Sequence, residues 1–296
     1  MDLIALEIFA AVAQEGSATR AAERLQRAQS NVTTRVQQLE ESLGCQLFVR
    51  EGRGMALTPA GQRLAGYAER LLALAEEARQ AVCSDQPSGR LRLGAMESTA
   101  AARLPGPLAQ LHAQWPQLVL ELRTGSSRPL ADDVLAHRLD CALLAWPPPG
   151  LEDVEVPLAR TQVFTERLLL ALPAGHPPVT GPGQLQLDTL AAFARGCTYR
   201  RIGEDWMQRA LGRAPRVLEL ASYATILACV AAGRCAGVLP HSIRELLRTP
   251  PPLQWLDLGE CPTMLVHRPG YDTPALAALL QALRPHAPTS PSSSLS

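Results

Sequence analysis

The chain has 296 residues, 47% of them hydrophobic and 19% charged, with 28 basic and 28 acidic side chains and a net charge of zero. That length holds two or three domains, and that composition excludes a disordered chain in favour of a globular one. The neutral total excludes a general electrostatic attraction to nucleic acid, so any such attraction must be local.

Every basic residue is Arg, for the chain contains no Lys, which reads as codon bias before function. The seven cysteines are scattered, with no CxxC and no paired Cys/His spacing, so no metal site is expected. They are expected to be small buried side chains in a reducing compartment. No apolar run reaches the ~20 residues a membrane helix needs. Residues 1–4 lead straight into an amphipathic helix without a signal-peptide pattern, so the expected location is cytoplasmic.

In chain order, residues 3–15 carry Leu3, Leu6, Phe9, Ala10, Val12 and Ala13 on one helical face. Ser17 can cap a short helix over 19–25, whose small residues Ala18, Ala21 and Ala22 let a neighbouring helix approach. A turn at 26–28 leads to a second helix from Gln29, with Val32, Val36, Leu39 and Leu43 as its buried face. Its exposed face opens with Gln29, Ser30, Asn31, Thr33, Thr34 and Arg35, side chains that hydrogen-bond to base edges and phosphates. The acidic Glu40 and Glu41 fall beyond it, and Gly44 ends the helix. A hairpin follows, 46–50 against 55–58, with Gly52 and Gly54 expected at positive φ and Arg53 at the tip.

The stretch resembles the winged helix-turn-helix of LysR-type transcriptional regulators. The resemblance rests on LEIFAAVA (6–13), GSATRAAERL (16–25), QSNVTTRVQQLE (29–40), Leu43-Gly44, LFVR (47–50) and LTPAG (57–61). Thr34 stands where that family commonly has Ser before the Arg, and it keeps the hydroxyl. The resemblance implies that the second helix reads the DNA major groove and that Arg53 touches backbone or minor groove.

Pro59 opens a long helix, where its missing N–H does no harm. Leu64, Leu71 and Ala78 are spaced by seven, as are Tyr67, Leu74 and Ala81, which predicts a two-helix seam. The resemblance implies the same, because the linker helices of this family pair antiparallel. Residues 83–89 read as a hinge.

Strand and helix patterns then alternate, which predicts parallel α/β units. Strands are expected at 90–95, 118–123, 140–145, 167–172, 217–220, 235–239 and 261–266. Helices are expected at 99–112, 130–136, 206–211, 223–232 and 274–283. This part is similar to the effector domain of the same family, two lobes joined by crossing strands as in periplasmic solute-binding proteins. Residues 92–99, 103–105, 196–201 and 220–223 carry that likeness. The fold class is therefore α+β and α/β multidomain. A winged helix-turn-helix spans 1–60 and a linker helix with hinge 61–87. A two-lobed effector domain spans 88–285 (lobe I 88–160 and 264–285, lobe II 161–263), with a disordered tail at 286–296.

Ligands of open α/β folds bind at the carboxyl ends of strands. The residues placed there are Ser98, Thr99, Gly125, Ser126, Cys197, Thr198, Tyr199, Arg200, Ser222 and Tyr223. Ser98 and Ser222 also suit plain N-caps, and Arg200 also suits a surface salt bridge. Together they predict a small polar, anionic metabolite, with Arg200 as its charge partner. Cys197 also sits where a redox-sensing relative carries its reactive thiol, although no resolving cysteine lies between it and Cys229.

The expected function is a LysR-type regulator that binds a dyad-symmetric promoter site and responds to a metabolite. Its expected partners are double-stranded DNA, the small-molecule effector, a second copy in a homodimer or homotetramer, and RNA polymerase. No catalytic residue, metal or cofactor is expected, since GxGxxG, P-loop and HExxH patterns are missing. A thiol sensor, a solute-binding protein and an α/β enzyme stay open as alternatives.

Overall fold

The computed structural model describes residues 1–51, 54–83, 86–152 and 154–284, without the side chains of 80, 81 and 83. The expected positions of Gly52, Arg53 and the 286–296 tail lie outside the described residues.

The first unit runs to Cys83. Helix α1 (Leu3–Glu15) is capped by Asp2, whose carboxylate accepts the Ala5 N–H at 2.7 Å, a contact that contributes ~1 kcal/mol. Helices α2 (Ala18–Arg24) and α3 (Gln29–Leu43) follow, then the hairpin β1 (Phe48–Glu51) and β2 (Gly54–Leu57), then α4 (Pro59–Cys83). Phe9 of α1 meets Phe48 of β1 at 5.3 Å between ring centroids, inside a core that includes Ile8, Val12, Ala21, Val32, Val36, Leu39 and Ala68. Glu40 accepts the N–H groups of Leu47 and Phe48, at 2.6 and 3.1 Å, so this acid fastens the recognition pair to the hairpin. Gly61 has no tolerable replacement: a Cβ there would stand 2.1 Å from the Leu47 carbonyl oxygen.

Three expectations in this unit are corrected. Leu43 is exposed, because the helix ends beyond the reach of the core. Gly54 pairs with Glu51 as the first residue of β2 and does not take a positive φ. On α4, Leu64 packs on the unit's own core, whereas Tyr67, Leu71, Leu74 and Ala78 form the exposed stripe.

The second unit is a mixed sheet of eight strands among the described residues. In chain order its elements are β3 (Gly89–Ala95), α5 (Glu97–Ala102), α6 (Pro105–Gln114), β4 (Leu118–Thr124), α7 (Ser127–Leu135), β5 (Cys141–Ala145) and β6 (Ala159–Pro173). They continue with β7 (Thr189–Ala192), α8 (Thr198–Leu211), β8 (Arg216–Glu219), α9 (Tyr223–Ala231), β9 (Ala236–Pro240), α10 (His241–Glu245), β10 (Leu253–His267) and α11 (Pro274–Leu283). The strand order is β4-β3-β5-β10-β6-β9-β7-β8. Strands β6 and β10, 15 residues each, pair antiparallel from Leu253–Pro173 to His267–Ala159. Their outer ends join β5 in one lobe and β9 in the other, so these two strands carry the chain between lobes. The lobes keep separate cores, one around Leu93, Leu143, Leu265 and Leu279, the other around Leu170, Leu190, Met207 and Val238.

The expected helix over 99–112 is two helices, because Pro105 has no N–H to continue the first and opens a new one at its N-terminus. Strands β6 and β10 run far beyond the apolar cores of 167–172 and 261–266. Their polar halves alternate weakly and form strands because each pairs with the other.

Candidate functional site

The first site is the open face of α3. Gln29, Ser30, Asn31, Thr33 and Thr34 are exposed, and Arg35 is half-buried, 3.7 Å from Asp2. The opposite face is pinned by Val32, Val36 and Leu39. A chain of base- and phosphate-seeking side chains thus stands on a helix that cannot turn it inward.

The second site is a cleft of about 410 Å3 in the second unit. Its walls are the strand-to-helix junctions of both lobes: Met96 and Glu97 after β3, Thr124–Ser127 after β4, Phe193 and Ala194 after β7, and Glu219–Ala221 after β8. Cys197, Tyr199 and Tyr223 come from the starts of α8 and α9. Parallel strands put their carboxyl ends, and the first turns of the helices that follow, on one side of each lobe. Two contacts bridge the lobes beside it. The Arg128 N–H donates to the Gly196 carbonyl at 3.0 Å, and the Thr198 hydroxyl donates to the Ala145 carbonyl at 3.2 Å.

Of the residues expected at the ligand, Gly125, Ser126, Cys197, Tyr199 and Tyr223 line this cleft. Thr198 does not, since its hydroxyl is spent on the bridge to Ala145. Ser98 and Thr99 are buried behind the lining, with the Ser98 hydroxyl beside that of Tyr223. Ser222 caps α9, accepting the Thr225 N–H at 3.2 Å. Arg200 is the main correction. Its guanidinium donates to Glu204 at 2.8 Å, to Glu219 at 3.0 Å and to the Phe193 carbonyl at 3.0 Å. Burial works against its charge, and the two carboxylates outweigh that cost. It is no free cation for an anionic ligand.

Phe193 and Glu219 were missed as lining residues, and Glu97 was placed at a strand end but not among the ligand contacts. Glu97 is the residue after Met96 at the end of the first strand, so its position was legible. Burial pushes its carboxyl above the ordinary range, against the pull of the Tyr223 N–H. Burial likewise raises the Tyr199 and Tyr223 hydroxyls.

Cys197 has a neighbour that the sequence spacing hid: Cys261 of β10 lies within electrostatic reach of it. Both thiols are buried, which raises that of Cys197 and pushes that of Cys261 to about 11. A protonated buried thiol is a poor nucleophile, so thiol sensing is not favoured.

Residues 3–62 match the family model described as "Bacterial regulatory helix-turn-helix protein, lysR family", and residues 84–288 match the LysR substrate binding domain. The chain belongs to the LysR family of transcriptional regulators. This LysR-family regulator is 36% identical over 294 residues to the HTH-type transcriptional regulator GltR of Bacillus subtilis, covering 97% of each chain. It is 31% identical over 290 residues to the regulator SoxR of an Arthrobacter species, covering 96% of this chain and 97% of that one. Among solved structures, a full-length OxyR variant from Pseudomonas aeruginosa aligns with a TM-score of 0.71 at 24% identity, over 97% of this chain and 99% of that one. CbnR complexed with its target DNA aligns with a TM-score of 0.65 at 22% identity, over 96% and 99%. Both likenesses are of fold. The chain is thus a DNA-binding transcriptional regulator with an effector-binding domain, and among the described residues no helix is long and apolar enough to cross a membrane.

Proposed function

We propose that this regulator reads its promoter through Gln29, Ser30, Asn31, Thr33, Thr34 and Arg35, and that a small polar metabolite in the inter-lobe cleft sets its response. The exposed polar face of α3, held outward by Val32, Val36 and Leu39, carries the first half. Arg53, outside the described residues, is kept as the contact to backbone or minor groove. The stripe Tyr67, Leu71, Leu74 and Ala78 on α4 supports pairing of two copies, because an exposed apolar seam at seven-residue spacing is stabilised by a second helix. A two-fold dimer, or a tetramer built from two, requires dyad-related half-sites. The protein acts in the cytoplasm, with RNA polymerase as a further partner and no enzymatic step of its own.

Ligand binding sets the response by shifting the lobes between an open and a closed arrangement. A ligand does this only through unequal affinity for the two arrangements. The test is a gel-shift titration of the full chain on its own upstream DNA, against scrambled DNA, over a salt series. Specific retardation with a steep salt slope is expected. Equal binding to both DNAs would refute promoter reading.

A further inference from the structure

We propose that the effector carries a protonated amine, bound by Glu97; this rests on the cleft being the effector site. Among the described residues lining the cleft the charged ones are Glu97 and Glu219. Glu219 is already paired with Arg200, so its charge is balanced from behind the wall. Glu97 has no cation: the Tyr223 N–H pulls on its carboxyl, but its buried Oε2 atom has no hydrogen-bond partner. A carboxylate oxygen shut off from water without a donor is costly. Turned toward the cleft, the carboxylate meets a ligand ammonium that supplies both the donor and the compensating charge.

The surroundings fit the same class of ligand. Phe193, Tyr199 and Tyr223 line the cleft, with the Phe193 and Tyr223 rings 4.9 Å apart at 73°, and aromatic faces attract cations once water is excluded. Tyr199 is buried to 2% exposure, with the Thr263 hydroxyl beside its own. An anionic ligand would meet two carboxylates, and the nearby Arg200 is already paired with Glu204 and Glu219.

The experiment uses the full chain and five-carbon probes matched in size: pentylamine and cadaverine against pentanoate and glutarate, read by thermal shift and calorimetry. The amines are expected to raise Tm, and the acids to leave it unchanged. Glu97→Gln keeps the shape and removes the charge, and should weaken amine binding at least about tenfold, the loss of one good charged contact. Retained operator binding by that variant shows that it is folded. Ser126→Trp fills the cleft. Amine binding lost in both variants supports the inference. Acids that bind the wild type and not Ser126→Trp overturn the ammonium and leave the cleft reading standing. Binding of either kind that survives Ser126→Trp breaks the cleft reading itself. Amine affinity unchanged in Glu97→Gln, or no response to any probe, also overturns the ammonium.

Discussion

Arg200 Nη1 donates to Glu219 Oε2 at 3.0 Å, joining a side chain that is 8% exposed to one that is 57% exposed. The arginine reaches the cleft only through the acid it neutralises. Its second partner, Glu204, is one turn along α8, so the pair ties that helix to the end of β8. Arg200→Ala should therefore act first on stability. Losing the bonds to Glu204, Glu219 and Phe193 costs about 1–3 kcal/mol. Chemical denaturation of the two proteins checks this, and equal stability would mean the network contributes nothing.

Glu97 gives a pH signature of its own. Burial raises its carboxyl above the ordinary range, so the folded state binds the proton more tightly than the unfolded chain does. Its ionisation then weakens the fold as pH rises through the interval between its unfolded and folded values, and the cost is relieved as pH falls. Glu97→Gln should have the higher Tm near neutral pH, with the advantage shrinking toward the unfolded value of about 4.3. A difference that stays flat across the pH series would discard the idea.

On α3, Arg35 stands at the edge of the polar face and 3.7 Å from Asp2. That exposed pair contributes little, at most ~1 kcal/mol, so the arginine is available to DNA at small cost. Arg35→Ala should lower affinity for the cognate site by about 1–3 kcal/mol and relax sequence preference. Quantitative gel shifts with cognate and mutated sites read both effects, and wild-type affinity in the variant would place the reading surface elsewhere.

Leu71 lies mid-stripe on α4 between Tyr67 and Leu74, exposed in the single chain. Leu71→Glu should shift the protein toward monomer in sedimentation without lowering helix content, because the side chain belongs to no core of its own unit. Leu64→Glu, by contrast, should unfold the first unit, since Leu64 packs on that core. An intact wild-type assembly with Leu71→Glu would remove the seam.

Most of the first unit, though not Leu43 or the full α4 seam, was legible along the chain. Its contacts are local: α1, α2 and α3 pack within a few turns of one another, and their three- and four-residue spacing names the buried faces. Val32 and Val36 going inward leaves Gln29 to Arg35 outward, with no knowledge of distant residues needed. The alternation of strands and helices in the second unit was equally legible, and with it the rule that ligands meet strand ends, which found Gly125, Ser126, Cys197, Tyr199 and Tyr223. What those ends offer chemically came from packing between distant segments. Whether Arg200 is a free cation depends on Glu219, which reaches it through the fold. Whether Glu97 is solvated depends on the lobe that covers it. Cys261 comes beside Cys197 only because β10 crosses back between the lobes. Charge and protonation are set by partners far apart along the chain, and pattern along one segment carries no record of them.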